Sequence, residues 1–244
     1  MPSSTSGFTG NEIVSRVISF VGNNSSSFQT YVENTLPLAE FRYCSMHPWK
    51  FLYKPNLSLS VSNGTAEYDL TTGTLGYYMA AEDIHQIFDD TNGRVLRKVD
   101  LKDLRRLDPE RNDGSSSDEV TMWAPLGDNR IVLYPPTFAS ATLKVDGWVS
   151  PTALTTLSNY PTIPFRYQEG FIEYVIAKAL DRDNDDRAEA KKQEAMQLIM
   201  SDVRKDMTQK GSIDLPRVRS WAEANSDGVG GGNLESAYLN YLFS

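Results

Sequence analysis

The stretch from Pro164 to Gly211 limits the possible folds of this chain more than any other, because it is the longest segment with helical periodicity. Proline is accepted in the first turn of a helix, where its missing N–H would have no intrahelical partner, so a helix is predicted to begin there. Apolar residues occupy nearly every side of this helix between Phe171 and Leu180. That pattern is typical of a helix covered on all sides, so we predict that this half is buried.

A second helix is predicted to follow the polar run 181–186. Apolar residues return there at three- and four-residue spacing, while Asp185 and Asp186 near the start and Gly211 after the end suit the helix dipole and a C-cap. The acidic run does not fit a calcium-binding loop, because Asp186 stands where glycine is required and Lys192 where the bidentate glutamate belongs. We therefore interpret the run as a bend between two helices.

Helical signals also open the chain. Thr9 and Glu12 have the spacing of a capping box and precede a run of apolar residues with helical spacing. A further helix is predicted from about Ser25 onwards, with Pro37 as the site of a kink or a break. This helix should end before Pro48, because a residue that precedes proline is biased away from helical angles.

The hydrophobic period changes from helical to two at Leu57. Alternating runs joined by Asn-Gly are a strong hairpin signal, since both turn positions of a type I′ turn need a positive φ. Two hairpins of this kind are predicted, one pairing 57–61 with 66–70 and the other pairing 84–88 with 95–99. A short helix capped by Asp100 and three more strands, at 120–124, 130–134 and 141–145, are predicted to follow.

Helices on both sides of a block of strands define an α+β fold. We predict a helical bundle of N- and C-terminal helices, an inserted antiparallel β-sheet or barrel subdomain, and an extended C-terminal tail. The N-terminal helices are predicted at 1–54 and the β subdomain at 55–149. A crossing segment with the long helices should follow at 150–210, and the tail at 211–244.

The predicted tail contains a glycine hinge at 228–232 and then several large apolar residues. Terminal segments stay disordered unless they dock on something, so docking on a partner is predicted, with packing onto its own subunit as the alternative. The residues that we assign to this docking are Trp221, Leu234, Tyr238, Leu239, Tyr241, Leu242 and Phe243.

Composition and motifs exclude several classes of protein. A net charge of −8 argues against a broad grip on nucleic-acid phosphates, which needs clustered Lys and Arg. Cys44, His47 and His85 are too few soft ligands for a zinc site, and neither a phosphate-binding loop nor a Gly-x-Ser-x-Gly motif occurs. No apolar run is long enough for a membrane span. We therefore expect no catalytic, metal or cofactor site and no membrane contact.

The order of these parts resembles the head-to-tail adaptor (connector) proteins of tailed bacteriophages, notably the tail-tubular-A type of short-tailed phages. The resemblance covers roughly residues 10–210. It is carried by His47-Pro-Trp-Lys50, Asn63-Gly-Thr-Ala-Glu-Tyr-Asp-Leu70, Arg130-Ile-Val-Leu-Tyr-Pro-Pro136 and the segment 154–164 that leads into the long helix.

The resemblance implies a structural virion protein at the head-tail junction, assembled in the host cytoplasm, and not an enzyme. It further implies a homo-oligomer of twelve subunits, with the helical half forming a ring around a channel through which phage DNA passes without specific binding. Its partners would be the portal protein, engaged by the C-terminal tail, and tail or nozzle proteins. We assign contacts between subunits to the long helices: Phe171, Tyr174, Met196, Ile199, Met200 and Val203.

Two alternatives remain at this level. The chain could be a non-enzymatic binding module whose β subdomain recognises another protein, or carbohydrate through exposed Trp123 and Trp148. A hydrolase that uses carboxylates is a third possibility, but the sequence has no paired acidic motif to support it.

Overall fold

The computed structural model describes residues 7–107, 119–136 and 141–208. The chain divides into two compact units, of which the first, the β unit, is Leu52–Ser150. The second, the helical unit, contains the described residues 7–51 and 151–208. Helices and sheets together confirm the predicted α+β class, whereas a closed barrel is not confirmed because the strands form two separate sheets.

The elements of the described residues follow one another in this order: α1 (Gly10–Val21), α2 (Ser26–Ser45), β1 (Tyr53–Val61), β2 (Glu67–Asp69), α3 (Thr72–Leu75), β3 (Ile84–Asp89), β4 (Arg94–Val95), β5 (Arg97–Lys98), α4 (Leu101–Leu107), β6 (Met122–Pro125), β7 (Arg130–Tyr134), β8 (Ala141–Trp148), α5 (Phe165–Arg182) and α6 (Ala188–Thr208). Short 3-10 turns occupy Lys50–Leu52 and Ala81–Asp83.

The first two helices begin where the capping residues predict. The Thr9 hydroxyl accepts from the Glu12 N–H (3.3 Å), and the Glu12 carboxylate accepts from the Thr9 N–H (2.7 Å), which completes a capping box. Gly22 ends α1 at a φ of 82°, a left-handed conformation that glycine adopts without strain. The possible break at Pro37 does not occur, because α2 runs through it without interruption.

The helix α5 is the centre of the helical unit and packs against α1, α2 and α6. Its buried residues lie on all sides, and Tyr167, Phe171 and Tyr174 are fully buried, as its apolar pattern predicts. The predicted bend follows α5, where Asn184 has a positive φ of 52°. Hydrogen bonds from Arg187 lower the pKa of Asp185 to about 2 at this bend.

The β unit consists of two four-stranded sheets with the strand orders β1-β8-β3-β4 and β2-β7-β6-β5. Both sheets contribute apolar side chains to one core, including Leu59, Ile87 and Val145 from the first sheet and Trp123 and Ile131 from the second. All pairings are antiparallel except β5 with β6, which is parallel.

The predicted hairpin around Asn63-Gly64 is wrong. A turn exists there, with Gly64 at a φ of 69°, but β1 pairs with β8 and β2 pairs with β7 in the other sheet. The Tyr68 hydroxyl holds this turn, because it accepts from the Ser62 N–H (3.0 Å) and lies 2.8 Å from the Thr65 carbonyl oxygen. Alternating polarity indicates only that one face of each strand is buried. It does not identify the partner strand, and the buried faces of β1 and β2 here meet across the core.

The other strand predictions agree better with the structure. Around Asn92-Gly93, β3 pairs with β4 as predicted, but β5 leaves to join the other sheet. The predicted pair β6 and β7, the strand β8 and the short helix α4 are confirmed. The β unit ends close to its start, since the Val149 N–H donates to the Leu52 carbonyl oxygen at 3.0 Å.

Candidate assembly surfaces

A buried carboxylate fixes the last turn of α6 in the helical unit. The Asp206 side chain is only 1% exposed, and its Oδ2 lies 3.2 Å from His47 Nε2 and accepts from the Lys50 N–H, also at 3.2 Å. Its Oδ1 accepts from the Tyr167 hydroxyl at 3.1 Å. One side chain therefore joins α6 to α5 and to the segment after α2, close to the point where residues 209–244 begin.

A second buried carboxylate lies one turn earlier on the same helix. The Tyr43 hydroxyl donates to Asp202 Oδ2 (3.3 Å), and Lys205 Nζ lies 3.0 Å from Oδ1. Tyr43 in turn stacks on Trp49, with ring centroids 5.1 Å apart and an interplanar angle of 6°. Asp202 thereby links α6 to the aromatic core of the helical unit, which contains the fully buried Trp49.

The two carboxylates differ in their electrostatics. Burial raises the pKa of Asp202 above its usual range, and the nearby Lys205 does not compensate fully. Burial has the same effect on Asp206, but hydrogen bonds from His47, the Lys50 N–H and Tyr167 outweigh it, so the pKa of Asp206 is lowered. Burial and the Asp206 carboxylate raise the pKa of Tyr167 to about 12. Asp206 is thus a carboxylate that the fold holds in its charged form.

Sequence reasoning missed this pair of carboxylates, although a signal was present. Ala195, Ile199, Asp202 and Asp206 follow one another at spacings of four, three and four, which places both acids on the buried stripe of α6. An acid on an apolar stripe needs a buried partner. A partner for Asp206 could have been sought in His47, one of only two histidines in the chain.

The outer face of α2 is unusual because none of its exposed residues is charged. The structure describes the whole helix, and its exposed residues are Ser26, Ser27, Gln29, Thr30, Asn34, Leu38, Phe41 and Ser45. Leu38 and Phe41 are 54% and 52% exposed, so this face presents large apolar side chains. In a chain with 23% charged residues, we would expect several charges on a solvated helix of this length.

The six residues predicted for subunit contacts fall into two groups. Phe171, Tyr174, Met196 and Ile199 are buried inside the helical unit, so none of them presents a surface to a neighbour. Met200 and Val203 are only partly buried, and Met207 beyond them is 69% exposed. The apolar stripe of α6 therefore passes from the core to the surface towards the end of the helix. The assignment of these residues to subunit contacts stays a prediction.

The other predicted sites have different outcomes. The tail residues Trp221, Leu234, Tyr238, Leu239, Tyr241, Leu242 and Phe243 lie outside the described residues, as do the glycine hinge and the cap at Gly211. Trp123 and Trp148 are 1% and 7% exposed, so the idea of an exposed tryptophan platform for carbohydrate is wrong. Sequence alone could not place them, because large aromatics occur both in cores and in binding sites.

The described parts of the chain show no metal centre and no membrane segment. Within 7–107, 119–136 and 141–208, no group of three or more His, Cys, Asp and Glu side chains could hold a metal ion. Cys44 is buried, and this burial raises the pKa of its thiol. No helix in these ranges is both long enough and apolar enough to cross a bilayer.

Comparison with known protein families gives one decisive result. Residues 9–220 match the family described as SU10 adaptor protein, and this match spans most of the chain. The chain belongs to the SU10 adaptor family. The family is one of structural, non-enzymatic bacteriophage adaptor proteins, so this chain is a phage structural protein of the virion. No curated protein is significantly similar to it.

The family assignment agrees with the resemblance to phage head-to-tail adaptors. It also implies that the SU10 adaptor chain assembles with phage portal and tail proteins. The match covers all the described elements from α1 to α6, including the β unit between the helices. Both units therefore belong to the adaptor, and its assembly surfaces are to be sought on either of them.

Proposed function

We propose that this SU10 adaptor assembles into a closed ring of twelve subunits that joins the portal to tail or nozzle proteins and surrounds the channel for phage DNA. The observation that carries the proposal is the family match over residues 9–220. The net charge of −8 per subunit supports it, because an acidic surface lets DNA pass without holding it. In this proposal the subunits assemble in the host cytoplasm and act without catalysis.

The helical unit supplies the ring contacts in this proposal. A ring subunit needs apolar surface beyond its own core, and the end of the α6 stripe provides some of it. Of the residues predicted for these contacts, Met200 and Val203 have surface available, and Met207 extends the same stripe. The buried members of the set, Phe171 and Tyr174 among them, support the contact only by keeping α5 and α6 in place.

Electron microscopy of the protein, alone and mixed with purified portal particles, tests the ring. We expect closed rings with twelve-fold symmetry on the portal and a continuous axial channel. Rings on the portal would be sufficient, because assembly can require the portal as a template. A chain that stays monomeric and also fails to decorate portal particles would refute the proposal.

We assign portal attachment to the C-terminal segment, because its hinge and large apolar residues suit a segment that orders on a partner. Deletion of 228–244 should abolish attachment to portal particles and leave the helical CD signal unchanged. A matched full-length variant with Tyr238, Tyr241 and Phe243 replaced by serine separates the apolar contacts from the length of the segment. Attachment that survives the deletion would show that another surface binds the portal.

A further inference from the structure

The exposed residues of α2 follow the spacing of a helix–helix seam. Asn34, Leu38, Phe41 and Ser45 are separated by four, three and four residues. This alternation keeps side chains on one line along a helix, as in the contact stripe of a coiled coil. The line lies opposite the residues with which α2 packs on its own core, which include Phe28, Val32, Leu36 and Tyr43.

The exposed stripe of α6 has the same spacing. The line starts at the buried Met196 and continues at spacings of four, three and four through the partly buried Met200 and Val203 to Met207, which is 69% exposed. Both stripes therefore carry large apolar side chains on the C-terminal half of a helix, and none of the stripe residues is charged. Methionine side chains adapt well to irregular partners.

Two other exposed apolar residues of the helical unit, Phe20 and Phe165, already have a cationic or an aromatic neighbour. Lys191 Nζ lies 4.5 Å from the centre of the Phe20 ring, and the Phe165 ring lies 5.8 Å from that of Phe8. Among the described residues, no aromatic ring or cation lies over the Phe41 side chain. The outer face of α2 is thus the strongest candidate for a surface that another molecule covers.

We infer that the outer face of α2 (Leu38 and Phe41) packs against the α6 stripe (Met200, Val203 and Met207) of a neighbouring copy of this chain. The inference rests on the proposed ring and names the surfaces that form it. Copies that each carry a net charge of −8 repel one another, so contact is favoured where neither surface has charges. The uncharged face of α2 and the uncharged stripe of α6 meet this condition.

The use of two different surfaces has a geometric consequence. If the outer face of α2 paired with itself, a two-fold dimer would form and the α6 stripe would remain exposed. When unlike surfaces pair, each subunit uses one surface for each neighbour, and repetition closes a ring if the rotation is a whole fraction of a turn, or forms an open filament if it is not. In such a ring both apolar surfaces of every subunit are covered, which is why we favour a second copy as the occupant.

Cysteine crosslinking tests the pairing directly. Cys44 is the only cysteine of the chain and is buried, so the unmodified protein is the negative control for a thiol crosslinker. Leu38→Cys and Val203→Cys variants are purified separately and then mixed, with portal particles added where rings require them. We expect a crosslinked dimer from the mixture and none from either variant alone.

Glutamate substitutions provide an independent measurement. Phe41→Glu should weaken association between copies by about 10- to 100-fold, because it places an unpaired charge in a contact that excludes water. Tyr160→Glu is the matched control, since Tyr160 has the same exposure of 52% but lies outside both stripes. Sedimentation velocity over a range of concentrations gives the affinities, and CD confirms that each variant is folded.

The possible outcomes separate this inference from the proposed ring. One outcome is that rings form while neither Leu38→Cys nor Phe41→Cys crosslinks to a cysteine at position 200, 203 or 207 of the α6 stripe. That result would overturn the inference and leave the proposed ring standing. A crosslink from Leu38→Cys alone would show that α2 pairs with itself. Maleimide labelling of Leu38→Cys that increases only after removal of 209–244 would show that the chain's own tail covers the face. Absence of any ring would overturn both statements.

Discussion

Replacement of Asp206 by alanine is predicted to be among the most destabilising single changes in the helical unit. The substitution removes the acceptor for the Lys50 N–H, the Tyr167 hydroxyl and His47 at distances of 3.1–3.2 Å. Removing one partner of a buried charged network costs about 3–5 kcal/mol. That is a large share of the total stability of a typical domain, which is about 5–15 kcal/mol.

Urea unfolding followed by the helical CD signal measures this loss. Glu194→Ala is the matched control, because Glu194 is an exposed acid on the same helix whose carboxylate pairs with Lys191 at 2.8 Å. Exposed pairs contribute little, so we expect a change below about 1 kcal/mol for the control. If Asp206→Ala unfolds at the same urea concentration as Glu194→Ala, the buried network contributes nothing and the reasoning is wrong.

The pH dependence gives a second readout for the same residue. The pKa of Asp206 is lower in the folded protein than in the unfolded chain, so its contribution to stability is complete above the unfolded value of about 4. It is lost as the pH falls from there through the folded pKa. Asp206→Asn should therefore flatten the decline in stability below about pH 4. An unchanged acid profile in this variant would contradict the assignment of a charged Asp206.

Two further substitutions test other parts of the structure by the same urea assay. Gly170→Ala should destabilise the helical unit by about 1–3 kcal/mol, because the new Cβ would lie 2.9 Å from the buried Oδ2 of Asp202; helix propensity alone favours alanine by about 1 kcal/mol, so a gain in stability would refute the close contact. Tyr68→Phe should destabilise the β unit by about 1–2 kcal/mol through loss of the hydroxyl contacts to Ser62 and Thr65; an unchanged unfolding midpoint would show that these contacts do not hold the turn.

Local signals predicted the helices well and the sheet pairing only in part. The capping box at Thr9 and the change of pattern at 181–186 depend on residues close in sequence, so they could be recognised without the fold. The turn at Asn63-Gly64 was also local, but the partners of its two strands were not. The strands β1 and β2 pair with β8 and β7, whose identity depends on how the chain closes its core.

The candidate surfaces show a similar division. The buried half of α5 followed from its own composition, but the contact between Tyr43 and Asp202 joins residues 159 positions apart and could not be read from spacing. Met196 and Ile199 could not be distinguished from Met200 by periodicity, because all of them belong to one apolar stripe. Only the packing of α6 on α5 decides which of them reach the surface.

The hydrogen bond between Val149 and Leu52 places the entrance and the exit of the β unit side by side. For the helical unit, the whole of Leu52–Ser150 is therefore equivalent to one long loop with closed ends. The entropy of closing a loop grows only slowly with its length, so we expect the length of this insert to have little effect on the stability of the helical unit. A short linker from Phe51 to Pro151 is therefore the natural starting point for testing whether the helical unit folds without the insert.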